Sequence, residues 1–153
     1  MSLDRIDRAL VQMLQTDGRM TNSELAAKVS LSESACLRRV RALETSGLIE
    51  GYCALVNQQK AGCGVNVFVS ITLERQERTE LAAFEDAVKK IPEIMECYLM
   101  SGAYDYLLRV VVADTSDFER IHSKHLTGLP NVARVHSSFA LRTVQKAQAL
   151  PLR

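Results

Sequence analysis

The sequence lacks any long hydrophobic run, and this absence excludes a membrane-spanning protein. No stretch of the 153 residues approaches the roughly 18 consecutive apolar residues that a transmembrane helix needs. The first twenty residues contain Asp4, Arg5, Asp7 and Arg8 instead of an apolar core, so we expect no signal peptide and a cytoplasmic protein. Hydrophobic residues make up 47% of the chain and charged residues 24%, which predicts a folded globular protein and argues against disorder.

The chain is also poor in cysteine and in net charge. The thiols are expected to be reduced and mostly buried, because the four cysteines follow an irregular spacing with no Cys-x-x-Cys pair: Cys36, Cys53, Cys63 and Cys97. The same spacing argues against zinc, and no acidic or cysteine ligand completes a metal set with His122 and His125. The net charge of +1 excludes a basic coat but is compatible with a local basic patch.

Motifs of catalysis are missing as well. The chain contains no Gly-x-Ser-x-Gly, His-Glu-x-x-His or Walker pattern, and nothing in it assembles a nucleophile, a base and an orienting group. Gly62-Cys63-Gly64 is similar to a fragment of a phosphate loop, but such a loop opens a helix and this one precedes a strand. We therefore predict that the protein is not an enzyme and uses no cofactor.

The first half of the chain has the periodicity of α-helices. Four apolar residues recur at helical spacing before Gly18 and predict a first helix: Ile6, Leu10, Met13 and Leu14. The run from Thr21 to Glu24 has the pattern of a capping box and predicts a second, short helix. Ser32 is a suitable N-cap for a third helix, whose apolar stripe continues until Gly47: Cys36, Leu37, Val40 and Leu43. Three helices in about 45 residues match the helix-turn-helix plan.

The third helix carries the residues that favour DNA binding. When its apolar stripe faces inward, the opposite face has small polar residues at its start and arginines further along. Ser34 can approach base edges or phosphate, and Arg38 can reach guanine or the backbone. The alternative is a solvated charged face, which is common on helices. The capping box and short helix ahead favour DNA, and the predicted DNA-binding set is Thr21, Ser32, Ser34, Arg38, Arg39 and Arg41.

The turn before the third helix departs from a common pattern. Many helix-turn-helix units place glycine there, because one residue of the turn takes a positive φ. In this chain the turn reads Val29-Ser30-Leu31-Ser32. Ser30 therefore occupies the position expected for glycine, at some cost to stability.

The second half predicts a ferredoxin-like domain. Alternating apolar residues from Val65 to Leu73 indicate a strand buried on one face, and helical spacing then returns from Leu81 to Ile91. Two strands follow, and Asp114 can cap a second helix that ends at Gly128, before a last strand. This βαββαβ order defines an α+β protein, with a helix-turn-helix domain and tether strand over 1–60 and the ferredoxin-like domain over 61–153.

A glycine-containing turn between the two middle strands is the remaining motif. It reads Ser101-Gly102-Ala103-Tyr104-Asp105-Tyr106. One interpretation is a plain hairpin turn with Asp105 capping an edge. The other is a site for an amino acid, in which Asp105 receives the ammonium and N–H groups around Gly102 hold the carboxylate. The residues alone leave both interpretations open.

The order of these motifs resembles the Lrp/AsnC family, the feast/famine regulators, over nearly the whole chain, and the leucine-responsive branch in particular. The resemblance is carried by Leu3-Asp4-Arg5-Ile6-Asp7, Leu31-Ser32, Cys36-Leu37-Arg38-Arg39-Val40-Arg41-Ala42-Leu43-Glu44, Gly47-Leu48-Ile49 and Ser101-Gly102-Ala103-Tyr104-Asp105-Tyr106-Leu107-Leu108. It implies a DNA-binding helix-turn-helix and an effector domain that pairs the chain into dimers, often assembled into octamers. It also implies amino-acid effectors bound between dimers, at positions that match Ser101, Gly102, Tyr104, Asp105 and Ser137.

Two departures from the family pattern bear on the effector. Ala103 stands where many relatives have an acidic residue, and Val135 where some have threonine. Both remove polar partners, which favours an apolar effector such as leucine or methionine. The sequence thus predicts a transcriptional regulator that binds double-stranded DNA and responds to an amino acid. The alternative is an effector-independent architectural DNA-binding protein.

Overall fold

The computed structural model describes residues 3–147 and 149–152. The chain divides into two compact units. The first contains residues 1–55 together with 144–153, and the second contains residues 56–143. Within the described ranges, none of the helices has the length and apolar character needed to cross a membrane.

Three helices form the first unit, and each begins at a residue that caps it. Helix α1 spans Arg5–Thr16, α2 spans Asn22–Lys28 and α3 spans Glu33–Thr45. The side chains of Asp4, Thr21 and Ser32 each accept a backbone N–H of the first turn, which satisfies donors that have no partner inside a helix. The predicted capping box is confirmed, because Glu24 also accepts the Thr21 N–H at 2.7 Å.

A small apolar core joins the three helices. Leu10 of α1, Leu25 of α2, and Cys36 and Leu43 of α3 are all almost fully buried. The predicted strain in the turn between α2 and α3 is confirmed, because Ser30 has a φ of 56°. Burial also raises the pKa of the Cys36 thiol, so this cysteine is an apolar core residue.

The second unit is a four-stranded antiparallel sheet with two helices. The strands are β1 (Val65–Leu73), β2 (Ile94–Leu99), β3 (Tyr106–Val112) and β4 (Val132–Phe139), in the order β2-β3-β1-β4. Helices α4 (Arg78–Val88) and α5 (Thr115–Lys124) complete the βαββαβ order, and a 3-10 turn at Leu126–Gly128 follows α5. The predicted ferredoxin-like fold is confirmed.

The core of this unit lies between the helices and one face of the sheet. Every second residue of β1 and β3 is buried and packs with Phe84 and Val88 of α4 and with Phe118 and Ile121 of α5. The opposite face carries the intervening residues, such as Phe68 of β1, together with Tyr98 of β2, and these two are 39% and 53% exposed. Within the described part of the chain, no helix covers this second face, so an apolar and aromatic surface stays open to solvent.

The structure differs from the sequence prediction in three places: the tether at residues 48–57, the tail from residue 144, and two of the cysteines. No strand forms between residues 48 and 57 of the described chain, because these residues have no neighbouring strand to pair with. The tail from 144 was assigned to the second domain, yet it packs with the first unit, where Leu152 contacts the helical core. Cys53 and Cys63 are exposed, because both lie in irregular segments outside either core.

Candidate nucleic-acid interface and effector turn

One face of α3 presents a stripe of exposed side chains with two unpaired arginines. Ser34, Arg38 and Arg41 are exposed and recur three or four residues apart, so they lie on one side of the helix. Within residues 3–147 and 149–152, the guanidinium groups of Arg38 and Arg41 make no ion pair or hydrogen bond. Their donors are therefore available to phosphate or base edges.

The cap hydroxyls of the predicted DNA-binding set are partly used inside the chain. The Thr21 hydroxyl donates to Glu24 Oε2 at 2.8 Å and accepts the Glu24 N–H. Ser32 Oγ accepts the Ala35 N–H at 3.3 Å and lies 3.3 Å from Ser34 Oγ. Both hydroxyls are exposed and sit at helix N-termini, where phosphate oxygens are favoured.

Arg39 lies to one side of the arginine stripe, and one nitrogen of its guanidinium is paired with two carboxylates. Nη1 contacts Asp4 Oδ2 at 2.6 Å and Asp7 Oδ1 at 2.8 Å, both from the start of α1. The two carboxylates raise the pKa of Arg39 further. These contacts favour a structural role for Arg39, and its assignment as a DNA-binding residue stays a prediction.

The turn between β2 and β3 is held to the end of β1 by the Asp105 carboxylate. Oδ2 accepts the Leu73 N–H at 2.7 Å, and Oδ1 accepts from Gln76 Nε2 at 2.8 Å. The Asp105 N–H donates to the Ile71 carbonyl at 2.8 Å. Asp105 is half-buried, and each oxygen retains an acceptor position, because a carboxylate accepts about four hydrogen bonds.

Beside this carboxylate, a run of backbone donors is unpaired. The turn closes through Met100 N–H, which donates to the Asp105 carbonyl at 2.8 Å. Within the described part of the chain, the N–H groups of residues 101–104 make no hydrogen bond. Gly102 has a φ of 129°, a conformation that only glycine adopts readily. The turn thus places four free N–H donors next to an acidic side chain.

Tyr106 anchors the strand that follows the turn. Its ring is 1% exposed and lies 4.5 Å from the ring of Phe84. Its hydroxyl donates to Glu85 Oε1 at 2.7 Å. Burial first, and then the bond to Glu85, raises the pKa of Tyr106 well above its usual value. The hydroxyl therefore stays protonated, and the start of β3 is fixed against α4.

Ser137, which the resemblance assigned to the same site, lies elsewhere in the single chain. It stands on β4 opposite Val69, so β1 separates it from β3 by two strand spacings, about 10 Å across the sheet. The turn lies further along, beyond the start of β3. It lines a cavity of about 410 Å³ beneath α5, together with Phe118, His122 and Phe139. One chain therefore brings four of the five predicted effector residues together, and Ser137 is not among them.

Two functional contacts escaped sequence reasoning. Gln76 follows β1 with no motif around it, yet it holds one oxygen of Asp105. Asp4 and Asp7 precede and begin α1, and their contact with Arg39 spans more than thirty residues. Charge of opposite sign was the only available signal, and it does not say which residues meet. Among the described residues, no group of histidine, cysteine and acidic side chains is arranged to hold a metal ion.

These features define a class of protein: a helix-turn-helix unit with an exposed arginine stripe, joined to a ferredoxin-like unit whose turn at 101–105 combines unpaired N–H donors with an acidic side chain. Comparison with known proteins agrees. Residues 3–44 match the AsnC-type helix-turn-helix domain, and residues 66–150 match the Lrp/AsnC ligand binding domain. The chain belongs to the Lrp/AsnC family of transcriptional regulators.

Individual relatives match over nearly the full chain. A Bkd operon transcriptional regulator of Pseudomonas aeruginosa is 42% identical, over 98% of each chain. A leucine-responsive regulatory protein of Escherichia coli is 41% identical, over 99% of this chain and 92% of the relative. A transcriptional regulator of Neisseria meningitidis, solved as an L-Met complex, is 33% identical with a TM-score of 0.92, over 98% of this chain and 97% of the other.

Proposed function

We propose that this protein is a sequence-specific DNA-binding regulator whose DNA affinity or assembly responds to an apolar amino acid such as leucine or methionine. The observation that carries the response is the turn at 101–105, where free N–H donors stand beside a carboxylate. An amino acid offers the complementary pair, a carboxylate for the donors and an ammonium for Asp105.

The DNA-binding half of the proposal rests on α3. Ser34, Arg38 and Arg41 form its exposed stripe, and the hydroxyls of Thr21 and Ser32 stand at the helix N-termini beside it. A recognition helix that enters the major groove reads base edges with such side chains, while helix N-termini receive phosphate. Arg38 and Arg41 are the residues we expect to contribute most to affinity.

An apolar side chain on the effector fits the surroundings of the turn. Leu99 and Met100, just before it, are 60% and 36% exposed, and Ala103 offers no polar partner. Apolar surface that a ligand covers contributes about 25 cal/mol per Å². The names of two relatives agree with this choice, since one is called leucine-responsive and another was solved with L-Met.

Self-association completes the proposal. The open sheet face carries Phe68 and Tyr98, and Arg109 lies among them with Glu96 and Asn66 as partners. A second copy that covered this face would bury its aromatic groups, so we propose at least a dimer, with higher assemblies such as an octamer built from it. Because Ser137 lies about two strand spacings from β3 across the sheet, we propose that it reaches the effector from another copy.

A thermal-shift screen of the twenty amino acids tests the response. A ligand at one hundred times its Kd stabilises the folded state by about 2.7 kcal/mol, which for a chain of this size raises the Tm by roughly 5–10 °C. We expect leucine or methionine to do so, and to change DNA affinity or oligomer size in parallel. If none of the twenty shifts the Tm while DNA binding persists, the protein is an architectural DNA-binding protein instead.

A further inference from the structure

The start of α1 and the middle of α3 are joined by a cluster of three charged side chains, which we call the Arg39 clamp: Asp4, Asp7 and Arg39. Arg39 Nη1 lies 2.6 Å from Asp4 Oδ2 and 2.8 Å from Asp7 Oδ1. Asp4 Oδ1 also accepts the Asp7 N–H at 2.7 Å. The Asp4 carboxylate thus caps α1 and binds Arg39 of α3 at the same time.

Burial makes this cluster unlike the other ion pairs of the protein. Asp7 is 8% exposed and is the buried charged residue among those the structure describes. A carboxylate withdrawn from water needs a partner of opposite charge, and Arg39 supplies it. The Asp7 N–H, and then Arg39, hold the pKa of Asp4 below its usual value. The Asp4 carboxylate therefore stays charged at neutral pH and keeps Arg39 bound.

The position of Arg39 on α3 links its ion pairs to the direction in which the exposed arginines of that helix point. Arg39 lies between Arg38 and Arg41 in the sequence, and both of these neighbours are exposed on other sides of the same helical turns. Successive residues of an α-helix are separated by about 100° of rotation, so a small roll of α3 about its axis would redirect both exposed arginines. A second contact, from Asn22 Nδ2 to the Glu33 carbonyl at 2.8 Å, holds only the first turn of α3.

We propose that the Arg39 clamp is a specificity device: Asp4 and Asp7 hold Arg39, and thereby set the rotation of α3 that aims Arg38 and Arg41 at base edges. Arg39 is then a positioning residue rather than a DNA contact. This inference rests on the proposed reading of DNA by α3.

The proposal predicts that loss of an acidic residue lowers the preference for one DNA sequence, whereas charge alone predicts stronger binding to every DNA. Asp4 and Asp7 are negative charges in a DNA-binding unit, so removing either should strengthen binding to any DNA. Releasing Arg39 adds a free cation and should strengthen non-specific binding further. If the clamp aims α3, the same change must weaken binding to the preferred sequence relative to other DNA.

The test measures the affinity for a preferred duplex divided by the affinity for a scrambled duplex. The probes are a duplex enriched from a randomised pool by the native protein and a scrambled duplex of the same composition. Asp4→Asn keeps a good N-cap and removes only the charge, and Asp7→Asn removes the buried charge. Asp17→Asn is the matched control, because Asp17 is an exposed acid at the end of α1. Arg39→Ala removes the centre of the clamp.

We expect the ratio to fall about fivefold to hundredfold in Asp4→Asn, Asp7→Asn and Arg39→Ala, which is the range for one lost base contact. In Asp17→Asn it should stay unchanged. Arg39→Ala should also leave the salt dependence of binding unaltered, because Arg39 touches no phosphate in this scheme. If Asp7→Asn does not fold, Asp4→Asn decides, since the Asp4 side chain is 49% exposed.

Two results would overturn the clamp. One is a ratio in Asp4→Asn that matches the Asp17→Asn control. The other is a uniform loss of affinity for both duplexes in Arg39→Ala, with a flatter salt dependence, which is the behaviour of a direct phosphate contact. A native protein that enriches no duplex would overturn the proposed function and the clamp together.

Discussion

Replacing Asp105 by asparagine tests the effector turn, because the change removes a charge and keeps the shape of the side chain. The carboxylate accepts the Leu73 N–H at 2.7 Å and Gln76 Nε2 at 2.8 Å. The asparagine oxygen can keep the bond to Leu73, and the Gln76 amide can turn so that its oxygen accepts from the new amide nitrogen. We therefore expect a folded protein whose free energy of unfolding changes by about 1 kcal/mol or less.

The loss in effector affinity should be larger than the loss in stability. Two bonds inside the chain leave about two acceptor positions on the carboxylate, and the ammonium of an amino acid would take one of them. A hydrogen bond assisted by charge contributes about 1.5–3 kcal/mol. Its loss corresponds to roughly ten- to hundredfold weaker effector binding.

Calorimetry with leucine and methionine measures this change in Kd. Asp86→Asn is the matched control, because Asp86 is an exposed acid of the same unit whose one ion pair among the described residues is with Lys89, at 3.4 Å. DNA affinity without effector should be the same in all three proteins, since Asp105 belongs to the unit that lacks α3. Native affinity in Asp105→Asn, or an equal loss in Asp86→Asn, would refute the assignment of the ammonium to Asp105.

Five further substitutions test the other elements. Arg38→Ala or Arg41→Ala should weaken operator binding by about 1–3 kcal/mol if a base contact is lost, or flatten its salt dependence if a phosphate contact is lost, in an anisotropy titration. Ser30→Gly should raise the free energy of unfolding by up to about 1 kcal/mol in urea, because glycine adopts the positive φ of this turn without strain. Gly102→Val should cost about 1–3 kcal/mol in the same assay and weaken effector binding, since its φ of 129° excludes a β-branched residue. Phe68→Lys should reduce the oligomer mass in light scattering, because a lysine on the open face resists burial against a second copy.

Each of these expectations has a result that contradicts it. Unchanged operator affinity in both arginine variants would remove α3 from the DNA interface. A Ser30→Gly protein no more stable than the native one would mean that the turn carries no strain. Wild-type effector affinity in Gly102→Val would place the effector elsewhere, and an unchanged mass in Phe68→Lys would assign self-association to another surface.

Local patterns were sufficient to predict the helices and the four strands of the sheet. The capping box at Thr21 and the serine in the left-handed turn were both predicted, because a cap and a turn are made by residues within four positions of one another. The alternation along β1 identified its buried face, and the βαββαβ order followed from the change of period. The turn at 101–105 was singled out for the same reason, since its free donors and Asp105 are neighbours along the chain. Its role as an effector site stays a prediction.

Contacts between residues that are distant in the sequence could not be predicted from it. It placed Arg39 on the third helix but could not show that Asp4 and Asp7, more than thirty residues earlier, would bind it. It grouped Ser137 with the turn, whereas the strand order puts β1 between them. It did not indicate that the tail packs with the first unit, where Gln15 holds both backbone groups of Leu150, at 2.6 and 3.3 Å.

The physical reason for this division is the range of the interactions involved. Backbone hydrogen bonds, caps and amphipathic periodicity act over a few residues, so the sequence by itself determined the helices, the strands and the exposed arginine stripe of α3. Ion pairs and strand neighbours form between segments that meet only after the chain has packed, and many charged residues could satisfy the same partner. Only the tertiary structure decided that Arg39 faces α1, that Gln76 holds Asp105, and that Ser137 lies apart from the turn.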